Sequence, residues 1–271
     1  MIYLVVATIS DRKSDLSRFI ASIHEECLIG RVKLIIVYQS DNDFWSHPHA
    51  EVIHVGYVGA SAARNIGLKR VNELATDADY VGFPDDDCWY GSEVVQKLSE
   101  SKSALIFGDV LDPSGNIRLG APVPGRTRNL RFLFPYINCP SFFVKHEVLK
   151  SFSGFNESFG PGAKIPAVEE SEFLVRLSFE KTISCEYNKS IKIYHPLEIP
   201  NPSKNFQYSL AQGYLFRKLL EQRRLFAALV YFKVLLRPFA GFLVSAVLFN
   251  CRQIKFYACR CYGIYRGISI E

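Results

Sequence analysis

The chain has 271 residues, 48% of them hydrophobic, enough for one sizeable core with something appended. Its net charge of +5 is unevenly placed: between Arg217 and Arg266 ten Lys or Arg stand against the single acid Glu221, a local +9 that leaves −4 for the remainder. A mildly acidic body with a basic, aromatic tail excludes a chain built as a whole around nucleic acid, and fits an enzyme body with a membrane-surface tail. Met1 to Thr8 is apolar but has no basic leader and no small-residue cleavage site, so Ile2 to Thr8 reads as a first strand, buried on both faces. The turn Ser10-Asp11-Arg12 follows, and Leu16, Phe19, Ile20 and Ile23 then fall at helical spacing. Val32 to Tyr38 is a second buried strand that ends in the polar loop Gln39 to Asp43, and Glu51 to Val55 is a short third. A helix is predicted from Ser61, as N-cap, to Leu74. Tyr80 to Phe83 is the next strand, stopped by Pro84, which has no N–H for a ladder. A helix at Ser92 to Ser101 and a strand at Ala104 to Gly108 complete an alternation that predicts an α/β fold: a mostly parallel sheet flanked by helices.

The middle is less regular. Asp112 to Arg128, rich in Gly and Pro, reads as loops or a hairpin; Arg131 to Ile137 and Ser141 to Val144 are strand-like; His146 to Phe152 is a short helix. Ser153 to Val168 carries Gly154, Gly160, Pro161, Gly162 and Pro166, which predicts a loop able to move. Phe173, Leu174 and Leu177 give a helix from Glu169, and late strands follow at Ile183 to Cys185 and Ile191 to Tyr194, ending at His195-Pro196. Asn205 to Arg224 is one amphipathic helix. Leu225 to Phe249 is strongly apolar but interrupted by Lys233, Arg237 and Pro238, and the eleven residues from Phe239 to Phe249 fall short of the about 20 a membrane span needs. These last helices either pack on the sheet or lie at a membrane interface. The seven cysteines are odd in number and scattered, and Cys259 and Cys261 are too close for a zinc pair, which fits free thiols in a cytosolic protein.

Three stretches carry chemistry. Asp85, Asp86 and Asp87 follow the Tyr80 strand at once, and carboxylates so close disfavour one another's ionised form unless a cation offsets the repulsion. A hard divalent cation takes such oxygens and completes its shell with substrate phosphates. The position, just past the carboxyl end of a strand, is where open α/β sheets bind ligands. A solvated acidic loop is the plainer alternative, against which Phe83, Trp89 and Tyr90 stand as anchors. Second, Gly59 to Leu68 opens a helix with small residues that admit an anion to its N-terminus, with Arg64 as a planar donor; the same residues also let a helix sit close on a sheet. Third, Glu169 and Glu170 begin a helix, where the dipole favours an ionised carboxylate, as a general base requires; helix capping alone explains them equally well.

The order of strand, small-residue helix with Arg64-Asn65, strand and acidic triplet resembles the inverting glycosyltransferases of family 2, with the GT-A fold, over nearly the first two hundred residues. Ser61 to Asn65 is similar to the family's helix motif, Asp85 to Asp87 to its metal motif, and Phe155 to Gly160 with Glu169 to Glu172 to its glycine loop and acidic helix start. The resemblance implies a GT-A domain over 1–200, divided into a nucleotide-binding half, 1–110, and an acceptor half, 111–200, with a helical amphipathic tail over 201–271. It implies Thr8, Arg64, Asn65, Asp85 and Asp86 around the nucleotide-sugar, Asp87 on Mn²⁺ or Mg²⁺, and Glu170, seconded by Glu169, as catalytic base. His195 is either a further metal ligand or structural. The family has Asp where this chain has Tyr38, so Gln39 or Asp41 would take the base. The implied reaction is metal-dependent, inverting transfer from a nucleotide-sugar, by default a UDP-sugar, to a hydroxyl of a saccharide acceptor. A polyprenyl-linked acceptor in surface polysaccharide biosynthesis, at the cytoplasmic face of the plasma membrane, fits the basic tail. A nucleotidyltransferase would want a glycine-rich basic loop after the first strand, which Ser10 to Lys13 is not. The competing reading is an idle GT-A domain that binds nucleotide as a membrane-associated adaptor.

Overall fold

A computed structural model of the chain describes residues 1–119, 130–197 and 201–270. The first half is β1 (Ile2–Ile9), α1 (Lys13–Leu28), β2 (Val32–Gln39), β3 (Ala50–Val55), α2 (Ala60–Leu74) and β4 (Tyr80–Gly82). Its strands are all parallel, in the order β3-β2-β1-β4. Side chains alternate along β1: Tyr3 and Val5 enter one core, Ile2, Leu4 and Val6 the other, and helices cover both faces. α2 lies so close on β1 that a Cβ at Gly67 would collide with Val5.

The second half adds β5 (Trp89–Tyr90), α3 (Val94–Glu100), β6 (Leu105–Leu111), β7 (Ile117–Leu119), α4 (Leu130–Leu133), β8 (Phe142–Lys145), α5 (His146–Leu149), α6 (Glu169–Glu180) and β9 (Cys185–Tyr194). Here the sheet becomes mixed: β8 is antiparallel to both β4 and β6, β9 is parallel to β6, and β7 folds back on β6 as a hairpin. Most of the loop expected after that hairpin lies outside the described residues. Arg131 to Ile137 is not a strand. Leu130, Leu133, Phe134 and Ile137 are buried at i, i+3, i+4 and i+7, a helical period, and form α4 followed by a 3₁₀ turn. The two late strands are one, β9, whose pairing with β6 shifts register between Phe107 and Asp109.

The C-terminal segment forms α7 (Pro202–Glu221), α8 (Leu225–Val247) and α9 (Cys251–Ser269). α7 and α9 lie side by side through Gly213, Gly263 and Gly267, where an added Cβ would strike the facing backbone. Ala211, Leu215, Leu219, Ala227, Ala228, Tyr231 and Leu235 share a core with the sheet. The expected break at Pro238 does not occur: α8 runs through it for 23 residues, about 34 Å. Among the described residues it is the one helix long and apolar enough to cross a membrane by length and composition. All seven cysteines are free thiols.

Candidate active site

The strand order reverses between β1 and β4, and open α/β sheets bind ligands in the crevice outside the carboxyl ends at such a point. β1 delivers Thr8 and the turn with Arg12; β4 delivers Asp85, Asp86 and Asp87. Both open on a cleft of about 790 Å³ that Gln39, Arg64, Glu169, Glu170 and His195 also line. Of the residues picked out from sequence, only Asp41 and Asn65 do not line it.

The three aspartates have separate environments. Asp86 turns inward, buried, accepting a hydrogen bond from Thr8 Oγ1 at 2.8 Å and facing Arg12 Nε at 3.0 Å. Burial raises its carboxyl to about 6 against the pull of Arg12 and Thr8. Asp87 faces the cleft, with His195 Nε2 at 3.2 Å from one oxygen and Arg12 Nη2 at 2.6 Å from the other. Burial would raise it, but His195 and Arg12 hold it well below the usual carboxylate range. Asp85 is raised by burial, with Arg64 the main opposing charge. His195 Nε2 also lies 3.8 Å from Asp85, while its Nδ1 donates to Pro196 O at 2.9 Å. With Nδ1 donating to a carbonyl and Nε2 facing carboxylates, both ring nitrogens meet acceptors, which favours the protonated imidazole; Nε2 is the nitrogen that would give up its proton to ligate a cation.

Asp85, Asp87 and His195 offer ligand atoms within 4.8 Å of one another. Adjacent ligands of an octahedral cation with 2.0–2.1 Å bonds are roughly 3 Å apart, so the set fits a divalent cation with small adjustment. Two carboxylates and one imidazole suit Mn²⁺ better than Mg²⁺, because nitrogen ligands gain more from the transition metal.

Arg12, in the first turn after β1, is a site residue that no sequence pattern marks. Its guanidinium bridges Asp86 and Asp87 where a bound cation would also act. Arg12→Gln is expected to raise the protein's affinity for Mn²⁺ alone several-fold, since the ion pair that competes for Asp87 is removed. Isothermal titration without nucleotide reads this directly; unchanged or weaker affinity counts against the competition.

Across the cleft, Arg64 is buried and spent on carboxylates. Its Nη1 donates to Glu169 Oε1 and its Nη2 to Asp85 Oδ1, both at 2.9 Å, and its ring neighbour is Phe155. Glu169 and Glu170 open α6 from Val168, which has φ 61°, a left-handed conformation costly for a β-branched side chain and tolerated where surroundings over-determine it. Glu170 lies at the edge of the cleft with Cys139 and Glu169 close by. The helix N-terminus does not keep its carboxyl acidic, as the sequence suggested. Desolvation, then the charge of Glu169, push it well above the usual range, with Arg64 only partly opposing. Burial likewise keeps the Cys139 thiol protonated.

The loop from Ser153 to Val168 is pinned rather than free. Asn65 binds Phe155 through both amide atoms, at 2.7 and 2.9 Å, and also donates to Glu157. Ser61 is not the N-cap of α2; its hydroxyl donates to Phe159 O at 2.7 Å, and Ala60 N donates to Pro161 O at 2.9 Å. The small residues at this helix start therefore admit the protein's own loop, with Gly59 at φ 87° against Gly162. Gln39 is committed to backbone too, its Oε1 accepting from Val58 N and Gly59 N, each at 3.1 Å. Where the family has Asp, Tyr38 is buried with its hydroxyl on Asp43. Sequence reasoning also missed Arg118, Cys139, and Lys204 and Tyr208 of α7, all lining the cleft. No local signal marks the α7 pair, because only tertiary packing brings that helix to the sheet.

No family model matches the sequence, and no curated protein matches it. In three dimensions the chain is similar to S. aureus TarS. The 1–349 fragment in complex with UDP-GlcNAc aligns with TM-score 0.57 and 14% identity over 81% of this chain and 66% of that one. A further structure of the fragment aligns over 99% of this chain and 91% of that one, with TM-score 0.55 and 13% identity. Against a longer TarS chain the match spans 39% of that chain, with TM-score 0.56 and 13% identity. The likeness is one of fold, and the fold is GT-A-like.

Proposed function

We propose that this protein is a metal-dependent, inverting glycosyltransferase that moves a sugar from a nucleotide-sugar to a hydroxyl of a saccharide acceptor. The observation that carries the reading is one cleft at the β1/β4 reversal lined by Asp85, Asp87 and His195, a cation-binding set, and by Glu170, a general-base candidate. UDP-GlcNAc and UDP in the TarS fragment support a UDP-sugar as donor.

Asp85, Asp87 and His195 would hold Mn²⁺ or Mg²⁺, which supplies neutralisation of the departing diphosphate when bound. Thr8 keeps Asp86 turned away from that set, and Pro196 O holds the Nδ1 proton of His195, so that Nε2 is the nitrogen left to ligate. Arg64 holds Glu169 and Asp85 together, and Asn65 holds the loop that forms the cleft wall. Glu170 takes the proton from the acceptor hydroxyl as that oxygen attacks the anomeric carbon in a single displacement, which inverts its configuration. We place the acceptor on a lipid carrier, in surface polysaccharide biosynthesis at the cytoplasmic face of the plasma membrane, a setting in keeping with seven free thiols.

Thermal unfolding with UDP, GDP, CDP and dTDP, each with and without Mn²⁺, tests the site. A ligand at a hundred times its Kd adds about 2.7 kcal/mol. The expected result is stabilisation by one nucleotide, dependent on metal, and lost in Asp87→Ala. Stabilisation of Asp87→Ala by nucleotide and metal as in the wild type removes the ligand assignment, and metal-dependent nucleotide binding without sugar transfer favours the idle-domain reading.

A further inference from the structure

α8 has two unlike faces. Ala227, Ala228, Tyr231 and Leu235 are at most 2% exposed, and Tyr231 stacks on Phe134 at 5.6 Å, so this side belongs to the enzyme body. On the other side Leu225, Leu229, Phe232, Leu236, Phe239, Leu243 and Val247 recur every three or four residues as one stripe, 42–76% exposed. Leu248 and Phe249 extend the apolar surface beyond the helix end, at 67% and 86% exposed.

Lys233 and Arg237, one turn apart and exposed, edge this stripe at the middle of the helix. Among the described residues neither forms an ion pair, and neither do Arg252 and Lys255 at the start of α9. Acid is scarce in this part of the sequence: Glu221, the single acidic residue between Arg217 and Arg266, is already paired with Arg217 and Lys218.

We propose that α8 lies in the plane of an anionic lipid surface, with the Leu225–Val247 stripe among the acyl chains and Lys233, Arg237, Arg252 and Lys255 on the lipid phosphates. A leucine and phenylalanine stripe bordered by long basic side chains is the arrangement of an interfacial helix, whose cations reach headgroups while their stems stay apolar. A second copy of the chain is the poorer occupant, because pairing two such stripes brings the unpaired cations of both together with no acid between them. Spanning is excluded by the same residues. One face of α8 is already packed on the sheet core, and a span would leave Lys233 and Arg237 near the bilayer centre. α7, which brings Lys204 and Tyr208 to the cleft, joins α8 at Gln222 to Arg224, so the lipid contact and the cleft sit on consecutive helices. The inference goes beyond the transfer reading and does not depend on it.

The test is flotation of the full chain with vesicles of phosphatidylcholine, alone or with phosphatidylglycerol, at low and high salt. The expected result is binding to the anionic vesicles, weakened by salt, and release by alkaline carbonate. Leu229→Glu/Leu243→Glu is expected to abolish binding, and Lys233→Gln/Arg237→Gln to weaken it roughly thirtyfold, from the usual worth of two basic side chains at such a surface. All four side chains are exposed, so both variants should keep the wild-type circular dichroism and melting midpoint. Four results overturn the proposal: no vesicle binding by the wild type, binding indifferent to the apolar variant, resistance to carbonate, or a lipid-free dimer that the apolar variant dissociates. None of these touches nucleotide binding by the cleft, so failure here is distinguishable from failure of the transferase reading.

Discussion

Glu170→Gln is expected to lower sugar transfer by about 10²–10⁴-fold, the usual worth of a positioned general base, while donor binding stays near the wild-type level. Glutamine keeps the size and the hydrogen-bonding reach of the side chain but cannot take a proton. The loss should therefore fall on turnover, and nucleotide-dependent stabilisation should survive. The wild-type pH profile carries the same argument. Desolvation and the neighbouring Glu169 raise the Glu170 carboxyl to about 8, so in the free protein it is protonated at neutral pH. Protonated, it cannot serve as base. Activity at low substrate should then climb with pH through the neutral range, about tenfold per unit, and level off above the raised value. A flat profile from pH 6 to 9 (roughly the span over which a raised carboxyl must show itself), or full transfer by Glu170→Gln, removes Glu170 from the reaction.

The same residue shows what the sequence could and could not reveal. Its place at the start of a helix was legible from the spacing of Phe173, Leu174 and Leu177, and helix α6 begins at Glu169. Its protonation was not, because the helix dipole is a local term and the opposing desolvation arises from distant elements folding around it. The parallel half of the sheet was legible for a related reason. β1 and β2 are buried on both faces, so their residues read as unbroken apolar runs, and the acidic triplet had to fall at a strand's carboxyl end. The mixed half hid its periods. Leu130, Leu133, Phe134 and Ile137 span barely two turns and look like a strand until the core they fill is seen. Pro238 misled in the opposite direction: a proline interrupts a helix read in isolation, yet α8 continues through it with Pro238 itself buried against the body. Arg12 carries no sequence signal, since nothing in a turn marks that its side chain will reach Asp86 and Asp87, more than seventy residues on.

Arg64→Met is expected to cost about 3–5 kcal/mol of stability, because it strips the cation from two carboxylates that folding has largely taken out of water. Arg64 keeps 5% of its side-chain surface exposed and Glu169 keeps 9%, so neither can turn to solvent for compensation, whereas Asp85 at 30% can do so in part. In a chain of this size such a loss lowers the melting midpoint by on the order of ten degrees. Arg64→Met/Glu169→Gln should recover much of it, since the most deeply stranded charge is gone, and the double-variant cycle measures the coupling directly. The sign of the pH dependence is fixed as well. Burial already raises Asp85 in the presence of Arg64, and losing the guanidinium raises it further. A carboxyl raised in the folded state favours folding below its unfolded value, near 4, and loses that contribution as pH climbs through the folded one. The gap between Arg64→Met and wild type should therefore narrow in acid and widen toward neutrality. If it does not, the guanidinium is held by packing on Phe155, 5.5 Å from the ring centre, and not by charge. The distinction matters for the site, because the two Arg64 ion pairs are the link between the acids after β4 and the acids that open α6. With that link electrostatic, the two sides of the cleft hold their spacing through the guanidinium and not through its packing on Phe155.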